Sequence, residues 1–272
     1  SGGMFDFSLS PSTVFDINNG GAIGPVGFIR PFTPLPILSR IFDFDGSTVN
    51  VNNGGVFKSS FSGASFVLNV TVNIFDGGII REGFTARSGS VVNISAGVTH
   101  KVFAAGGTGT TVNVTAGIVV KGVNPLRRAR PGSPSGSLYI RSGGTVNISG
   151  GNINRGYSAS DGSTVNISGG EFMFNGASVS SIDSVGSSDV LAGVLADGNV
   201  FIFAGAQGDD LASGTTTLNT VSIAPADTTP MTVSSGDTSL KGLRAGQTLT
   251  ITGDAEVRDG FEAIGGTLNI EG

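Results

Sequence analysis

The sequence contains no cysteine and no tryptophan, and it has only one histidine in 272 residues. The absence of cysteine excludes disulfides and thiolate metal sites. It also means that cysteine usage does not indicate whether the protein occupies an oxidising or a reducing compartment. Charged residues make up 13% of the chain and the net charge is −5, so no basic excess predicts nucleic-acid binding. No apolar run reaches the ~18 residues that would predict a membrane span. The chain is nevertheless too apolar for a disordered protein.

Glycine is abundant, with 45 residues, and many glycines follow a short motif that recurs along the chain. Residues 145–151 read T-V-N-I-S-G-G, and residues 164–170 repeat these letters. The second residue of each copy is an apolar anchor, and successive anchors are most often 19 to 23 residues apart. A repeat of about 20 residues is typical of a solenoid, in which each repeat forms one coil. The anchors are Val49, Val72, Val92, Val112, Val146, Val165, Leu249 and Leu268.

Each repeat alternates apolar and polar residues and then reaches a turn that is often Gly-Gly. Alternation with a period of two predicts short strands with one buried face, and the repeats show no helical period. We therefore predict an all-β parallel β-helix with coils of about 20 residues, whose inward Val and Ile stack about 4.8 Å apart. Right-handed winding, the commoner form, is expected.

The repeat also predicts the organisation of the chain. We expect β-helix coils over residues 1–176, with proline-rich loops near 25–40 and 122–136, because proline cannot pair inside a strand ladder. Residues 177–225 are predicted to hold a β-hairpin from Val190 to Phe203 with an Asp-Gly turn, and a third strand from Thr216 to Ile223. Residues 226–272 are expected to be a linker followed by coils that resume at Thr248.

The ends of the chain predict an assembly. Leu268 lies 4 residues before the end and Phe15 lies at position 15, which together make the repeat spacing of 19. The C-terminal coil would therefore continue in register into the N-terminal coil of another copy, with Phe15, Ile17, Leu268 and Ile270 at the interface. Such a head-to-tail contact generates a fibre or a surface layer. The alternative is that the sequence is part of a longer tandem array.

A column of basic residues lies nine positions after most anchors. Stacked about 4.8 Å apart, such cations repel one another unless an anion lies between them. The column therefore predicts binding of an acidic polysaccharide through sugar carboxylates or sulfates. The alternative is a solvated edge that nearby carboxylates neutralise. The column consists of Lys58, Arg81, Lys101, Lys121 and Arg155, with Arg258 in the C-terminal coils.

A polysaccharide lyase is the enzymatic alternative, because it needs a base and a cation that neutralises a uronate carboxylate. The candidate residues would be His100, Lys101, Lys121, Arg155 and Tyr157. Against this hypothesis, the sequence offers no acidic cluster for calcium and no carboxylate pair in register of the kind that glycoside hydrolysis needs. A lone histidine is more often structural. We therefore expect a non-enzymatic protein, without a metal or cofactor.

Two polar columns flank the apolar anchors, one of threonine and one of asparagine. Their position predicts hydrogen-bonded ladders between coils that stiffen the solenoid. A sharper interpretation is a regular Thr/Asn face that orders water or binds ice. The threonines are Thr48, Thr71, Thr111, Thr145, Thr164, Thr248 and Thr267. The asparagines are Asn50, Asn73, Asn93, Asn113, Asn147, Asn166 and Asn269.

The repeats at 144–151 and 162–170, and the segment 190–198, resemble those of secreted bacterial β-helix repeat proteins, which are often described as pectin-lyase-like. The resemblance covers most of the chain and implies a parallel β-helix and a secreted or cell-surface location. It carries over no catalytic motif. The preferred hypothesis is an extracellular structural solenoid that assembles head to tail, with polysaccharide binding or cleavage and ice binding as alternatives.

Overall fold

The computed structural model describes residues 14–17, 22–23, 41–42, 48–52, 56–57, 65–80, 84–100, 102–104, 108–120, 138–153, 156–182, 185–186, 188–204, 214–237, 242–257 and 261–271. The regular structure of these residues consists of β-strands. The strands of the first six coils are, in chain order, β1 (Val14–Ile17), β2 (Ala22–Ile23), β3 (Ile41–Phe42), β4 (Thr48–Val51), β5 (Val56–Phe57), β6 (Ser65–Leu68), β7 (Thr71–Ile74), β8 (Ile79–Ile80), β9 (Phe84–Arg87), β10 (Val91–Ile94), β11 (Val98–His100), β12 (Val102–Ala104), β13 (Thr110–Val114), β14 (Ile118–Val120), β15 (Leu138–Ile140), β16 (Gly144–Ile148), β17 (Asn152–Ile153) and β18 (Tyr157–Ala159).

These strands stack into three parallel sheets, because every third strand pairs with the strand one coil later. Sheet A has the order β1-β4-β7-β10-β13-β16, sheet B the order β2-β5-β8-β11-β14-β17, and sheet C the order β3-β6-β9-β12-β15-β18. The repeat stays in register throughout: Val72 lies opposite Val92, and Val92 lies opposite Val112. The chain is therefore a three-faced parallel β-solenoid with a spacing of about 20 residues, as the sequence predicts. Its handedness stays a prediction.

The interior of the solenoid is filled by aliphatic columns. In β7, Val72 and Ile74 are fully buried, whereas Thr71 and Asn73 are half-buried on the outer face. The same alternation recurs in β4, β10, β13 and β16, so each coil adds a Val and a Val or Ile to the core. Full burial of such a side chain is worth about 1.5–3 kcal/mol, and this term stabilises each coil on its neighbours.

The seventh coil departs from the repeat. Its sheet-A strand is long, and it pairs with β16 through its first half. A later strand pairs in parallel with this same half and places Thr216 opposite Val165 and Leu218 opposite Ile167. The strand expected at Thr216 is thus the eighth parallel strand of sheet A, and it ends at Thr220. The strands of this region are β19 (Thr164–Phe174), β20 (Ala177–Ser178), β21 (Val190–Leu195), β22 (Val200–Ala204) and β23 (Thr215–Thr220).

The predicted hairpin is present and forms an aromatic plug. Strands β21 and β22 pair antiparallel across the turn at Asp197, and β21 also pairs antiparallel with the second half of β19. The Phe203 ring meets the Tyr157 ring edge-on, with centroids 5.5 Å apart, and lies 4.8 Å from the Phe201 ring. Phe172 of β19 joins the same cluster, 6.3 Å from Phe201. The aromatic residues of the hairpin therefore belong to the same core as the aliphatic columns.

A second, smaller core follows. Its strands pair in parallel as β24-β26-β28 and β25-β27. Its buried hydrophobic residues, among those that the structure describes, are Leu243, Leu249 and Ile251. The structure places the first strand of this unit one coil earlier than the sequence motif at Thr248 indicates. The strands are β24 (Met231–Asp237), β25 (Gly242–Arg244), β26 (Thr248–Glu256), β27 (Glu262–Ile264) and β28 (Thr267–Glu271). The two proline-rich segments, 25–40 and 122–136, lie outside the described residues.

Candidate functional site

The asparagine column on the outer face of sheet A forms a continuous hydrogen-bonded ladder, as the sequence predicts. In each coil the amide Nδ2 donates to the side-chain oxygen of the residue one coil earlier. The first bond runs from Asn50 to the carboxylate of Asp16, over 2.7 Å. Five further bonds, each 2.7–2.8 Å long, join Asn73 to Asn50, Asn93 to Asn73, Asn113 to Asn93, Asn147 to Asn113 and Asn166 to Asn147.

Asp16 sets the direction of this ladder. A carboxylate accepts hydrogen bonds and donates none, so the amide of Asn50 must turn its Nδ2 towards Asp16. The Asn50 oxygen then faces Asn73, which must donate in turn, and the same orientation passes to every later coil. All six amide dipoles therefore point the same way along the solenoid. Their donor end meets a negative charge, as the N-terminus of a helix does when an acidic residue caps it.

The threonine column runs beside the ladder on the same face. Thr71, Thr111 and Thr145 are half-buried and in register, with Val91 in the place of a threonine in one coil. Rows are about 4.8 Å apart along the solenoid, and the two columns are about 6.7 Å apart along each strand. The outer face of sheet A is thus a regular array of hydroxyl and amide groups.

The hairpin turn ties the first core to the second. The Asp197 carboxylate accepts a hydrogen bond of 2.6 Å from the Gly151 amide, which fixes the turn to the sixth coil. The carbonyl of Ala196 accepts from the Ala224 amide over 2.9 Å. Arg244 of the second core donates through Nη2 to the carbonyl of Ala224. Buried Arg244 thus joins the two units through Ala224, and its Nε has no partner among the described residues.

The last described strand leaves an apolar column uncovered. Ile270 of β28 lies in register with Ile251 of β26, which lies in register with Val233 of β24. Ile251 is only 4% exposed, whereas Ile270 is 72% exposed. Leu268 in the same strand is half-buried. Among the described strands only β26 pairs with β28, so its other edge has free backbone donors and acceptors.

Of the other predicted interface residues, Phe15 and Ile17 lie in β1, at the opposite end of sheet A. They are in register with Val49 and Val51, which are fully buried. Among the described strands β1 pairs only with β4. Among the strands that the structure describes, the two that the sequence assigns to a head-to-tail contact are therefore both edge strands. The contact itself stays a prediction.

The basic column falls on residues outside those that the structure describes, so its role in polysaccharide binding stays a prediction. The five members before Arg258 follow strands of sheet B in the chain by one or two residues, whereas Arg258 follows β26 of the second core. His100 is the last residue of β11, opposite Val120. The column residues in question are Lys58, Arg81, Lys101, Lys121, Arg155 and Arg258.

Tyr157, the remaining candidate of the lyase hypothesis, lies in the core. It is in register with buried Leu138 and has no exposed surface. Its hydroxyl forms a 2.8 Å hydrogen bond with the hydroxyl of Thr216. Burial raises the pKa of Tyr157 to about 12, although the hydrogen bond with Thr216 acts in the opposite direction. The structure thus gives this phenol a packing role, at a distance from any polymer on the outer faces.

The described residues hold no cluster of three or more His, Asp or Glu side chains that would bind a metal ion. No helix in this part of the chain is long and apolar enough to cross a membrane. Sequence analysis predicted the Asp-Gly turn of the hairpin, but it did not predict the aromatic plug or the contact between Asp197 and Gly151. Their signal was the concentration of Phe172, Phe201 and Phe203 around the predicted hairpin.

Fold and ladder define the chain as a parallel β-solenoid. No protein-family model, no curated protein and no solved structure matches it. The stacked parallel sheets nevertheless confirm the β-helix architecture that the resemblance to secreted bacterial repeat proteins implies. A pectin-lyase-like relationship and a secreted, bacterial location stay predictions.

Proposed function

We propose that this protein is an extracellular structural solenoid whose copies join head to tail into a fibre. The observation that carries the proposal is the exposure of Ile270, which continues a buried column and is 72% exposed. In every earlier coil of a solenoid the next coil covers such a residue. Covering Ile270 would contribute about 1–2 kcal/mol at each junction, by the area removed from water.

The small size of the second core supports the same proposal. Among the described residues, its buried hydrophobic side chains are Leu243, Leu249 and Ile251. The partly buried hydrophobic residues packed around them are Met231, Val233, Ala255, Val257, Phe261 and Leu268. Stacked repeats generally need at least three units to bury a continuous core. An added coil from another copy would enlarge this core and pair the open edge of β28. The first core, in contrast, already includes the aromatic plug.

Charge substitution at Ile270 tests the proposal. We expect the wild-type chain to form filaments in negative-stain micrographs and fast-sedimenting species whose size grows with concentration. Ile270→Asp should sediment as a monomer, because it places a carboxylate in the apolar column. The matched control is Thr267→Asp, which adds the same charge to an exposed outer position of the same strand. Wild-type protein that stays monomeric at every concentration, or filaments of Ile270→Asp with normal length, would refute the proposal.

The Thr and Asn array favours ice binding as a second candidate. The amides of the ladder are occupied by one another, so the threonine hydroxyls would be the groups that contact ordered water. Thr111→Lys should then abolish thermal hysteresis of freezing, whereas Thr115→Lys, an exposed residue just outside the column, should keep it. Native protein without thermal hysteresis would exclude this candidate.

A further inference from the structure

We propose that each junction is closed by a hydrogen bond from the Asn269 amide of one copy to the Asp16 carboxylate of the next. This inference rests on the proposed head-to-tail assembly and names the residues that set its register. The strand that would pair with the open edge of β28 is β1 of a second copy.

Asp16 has the right chemistry for such a contact. It is exposed on the edge strand β1, and one of its oxygens accepts the hydrogen bond from Asn50. An ionised carboxylate has about four lone-pair sites on two oxygens, so it can accept hydrogen bonds from both a preceding and a following strand. In the next five coils this position holds an asparagine that uses its oxygen for one neighbour and its Nδ2 for the other, and Asn166 in the sixth donates to Asn147. Asp16 differs from all of them because it has no Nδ2, so on its open side it can only accept a hydrogen bond.

Asn269 supplies that donor. It is exposed, and it lies on the outer position of β28, opposite Thr250 of β26. Thr250 in turn lies opposite Thr232. A threonine hydroxyl both donates and accepts, so neither residue in register with Asn269 fixes the orientation of its amide as a carboxylate would. The Asn269 side chain makes no hydrogen bond within the described residues, and its Nδ2 is free to turn towards a carboxylate on the open edge.

The register follows from the two strands. Parallel pairing that places Asn269 opposite Asp16 also places Leu268 opposite Phe15 and Ile270 opposite Ile17. These pairs continue the columns that hold Val49 and Val51 in the first copy. The polar and apolar positions of β28 therefore match those of β1 in one register. A shift of one residue would place Ile270 at an outer position and would leave the apolar column open.

Disulfide trapping tests the register, because the chain contains no cysteine of its own. Neighbouring Cα atoms in paired parallel strands are about 5 Å apart, which is within the range that a disulfide bridges. Asp16→Cys and Asn269→Cys proteins, mixed and oxidised, should give mainly the mixed dimer, identified by peptide mapping. Val14→Cys mixed with Asn269→Cys is two residues out of register and should cross-link at least tenfold less. Dimers of Asn269→Cys alone in equal yield would indicate tail-to-tail contact and would overturn the inference.

Assembly of two Asp16 variants tests the hydrogen bond. Asp16→Ala removes the acceptor and should raise the critical concentration about tenfold, the effect of losing one charged hydrogen bond. Asp16→Asn keeps an acceptor for Asn50 and a donor for the oxygen of Asn269, so it should stay close to wild type. Asn50→Ala is the control, because it breaks the intrachain bond and leaves the carboxylate in place. Equal critical concentrations for all variants would overturn this inference while filaments persist, whereas absence of wild-type filaments would refute the proposed function itself.

Discussion

The direction of the asparagine ladder predicts an energetic coupling between two distant residues. Asn113 lies four coils after Asp16, at a distance of about 19 Å along the solenoid. It donates to Asn93 and accepts from Asn147. Asn113→Ala removes both hydrogen bonds and should destabilise the protein by about 1–3 kcal/mol, since each bond contributes about 0.5–1.5 kcal/mol.

Asn113→Asp acts differently, because it places a second acceptor inside the ladder. The introduced carboxylate still accepts from Asn147, but its other side faces the oxygen of Asn93. The three asparagines between positions 16 and 113 can rotate their amides towards the new carboxylate. Four side-chain contacts join positions 16, 50, 73, 93 and 113, and each contact needs one amide donor. The three asparagines supply three donors, because a carboxylate at position 16 supplies none. One oxygen–oxygen contact therefore remains, and we expect a loss of about 1–3 kcal/mol.

Asp16→Asn should abolish this loss. With an amide at position 16, four donors serve the four gaps, and the whole segment rotates to point at the carboxylate introduced by Asn113→Asp. Alone, Asp16→Asn should change the unfolding free energy by less than about 0.5 kcal/mol, as exposed substitutions usually do. The double variant should be as stable as wild type, which gives a coupling energy of about 1–3 kcal/mol. Residues so far apart ordinarily couple by less than about 0.5 kcal/mol.

Urea denaturation of the four proteins, followed by far-UV circular dichroism, measures the coupling. The control cycle combines Asp16→Asn with Asn113→Ala, which breaks the ladder without imposing a direction. This control should be additive. Additive behaviour in the cycle of Asp16→Asn with Asn113→Asp would show that Asp16 does not orient the ladder.

Two further predictions concern the core. Burial raises the pKa of Tyr157 from 10 to about 12, so as the pH rises the unfolded chain loses this proton before the folded one. The free energy of unfolding should therefore fall by about 2–3 kcal/mol between pH 10 and 12. Tyr157→Phe should remove that fall, whereas Tyr139→Phe, at a half-buried position, should retain it. Gly150→Ala should destabilise by at least about 3 kcal/mol, because its Cβ would lie 2.0 Å from the Thr115 carbonyl oxygen. Gly176→Ala, with no atom within 4 Å of its Cβ and a φ of +79°, should cost only about 1–2 kcal/mol. Equal unfolding midpoints for the two glycine variants would contradict the close approach at Gly150.

The coil and the ladder could be predicted from sequence because both depend on short-range periodicity. A period of two assigns Val72 and Ile74 to the interior and Asn73 to the outer face, and the period of about 20 brings Asn73 beside Asn93. The direction of the ladder was also present in the sequence, as the aspartate that replaces asparagine in V-F-D-I. It becomes interpretable only when the register shows that Asp16 contacts Asn50.

The strand at Thr215–Thr220 was predicted, but its parallel pairing with β19 shows why other parts could not be predicted. Its inward position holds Thr216 where the repeat has valine, so the apolar alternation is interrupted. The hydroxyl of Tyr157 compensates by pairing with Thr216 in the core. Neither residue signals the other in the sequence, since they are 59 positions apart. The aromatic plug likewise depends on antiparallel pairing between β19 and β21, which no local pattern specifies.

The plug and the ladder together give the proposed assembly a polarity. The aromatic side chains are packed into the first core, and among the described residues the exposed continuation of a buried apolar column is Ile270. At the other end Asp16 accepts from Asn50, and its carboxylate can only accept a further hydrogen bond. Two such ends cannot close on one another, because their carboxylates would repel and neither would supply a proton. A tail carrying Asn269 satisfies this end, and a fibre built by such contacts would grow with every copy pointing the same way.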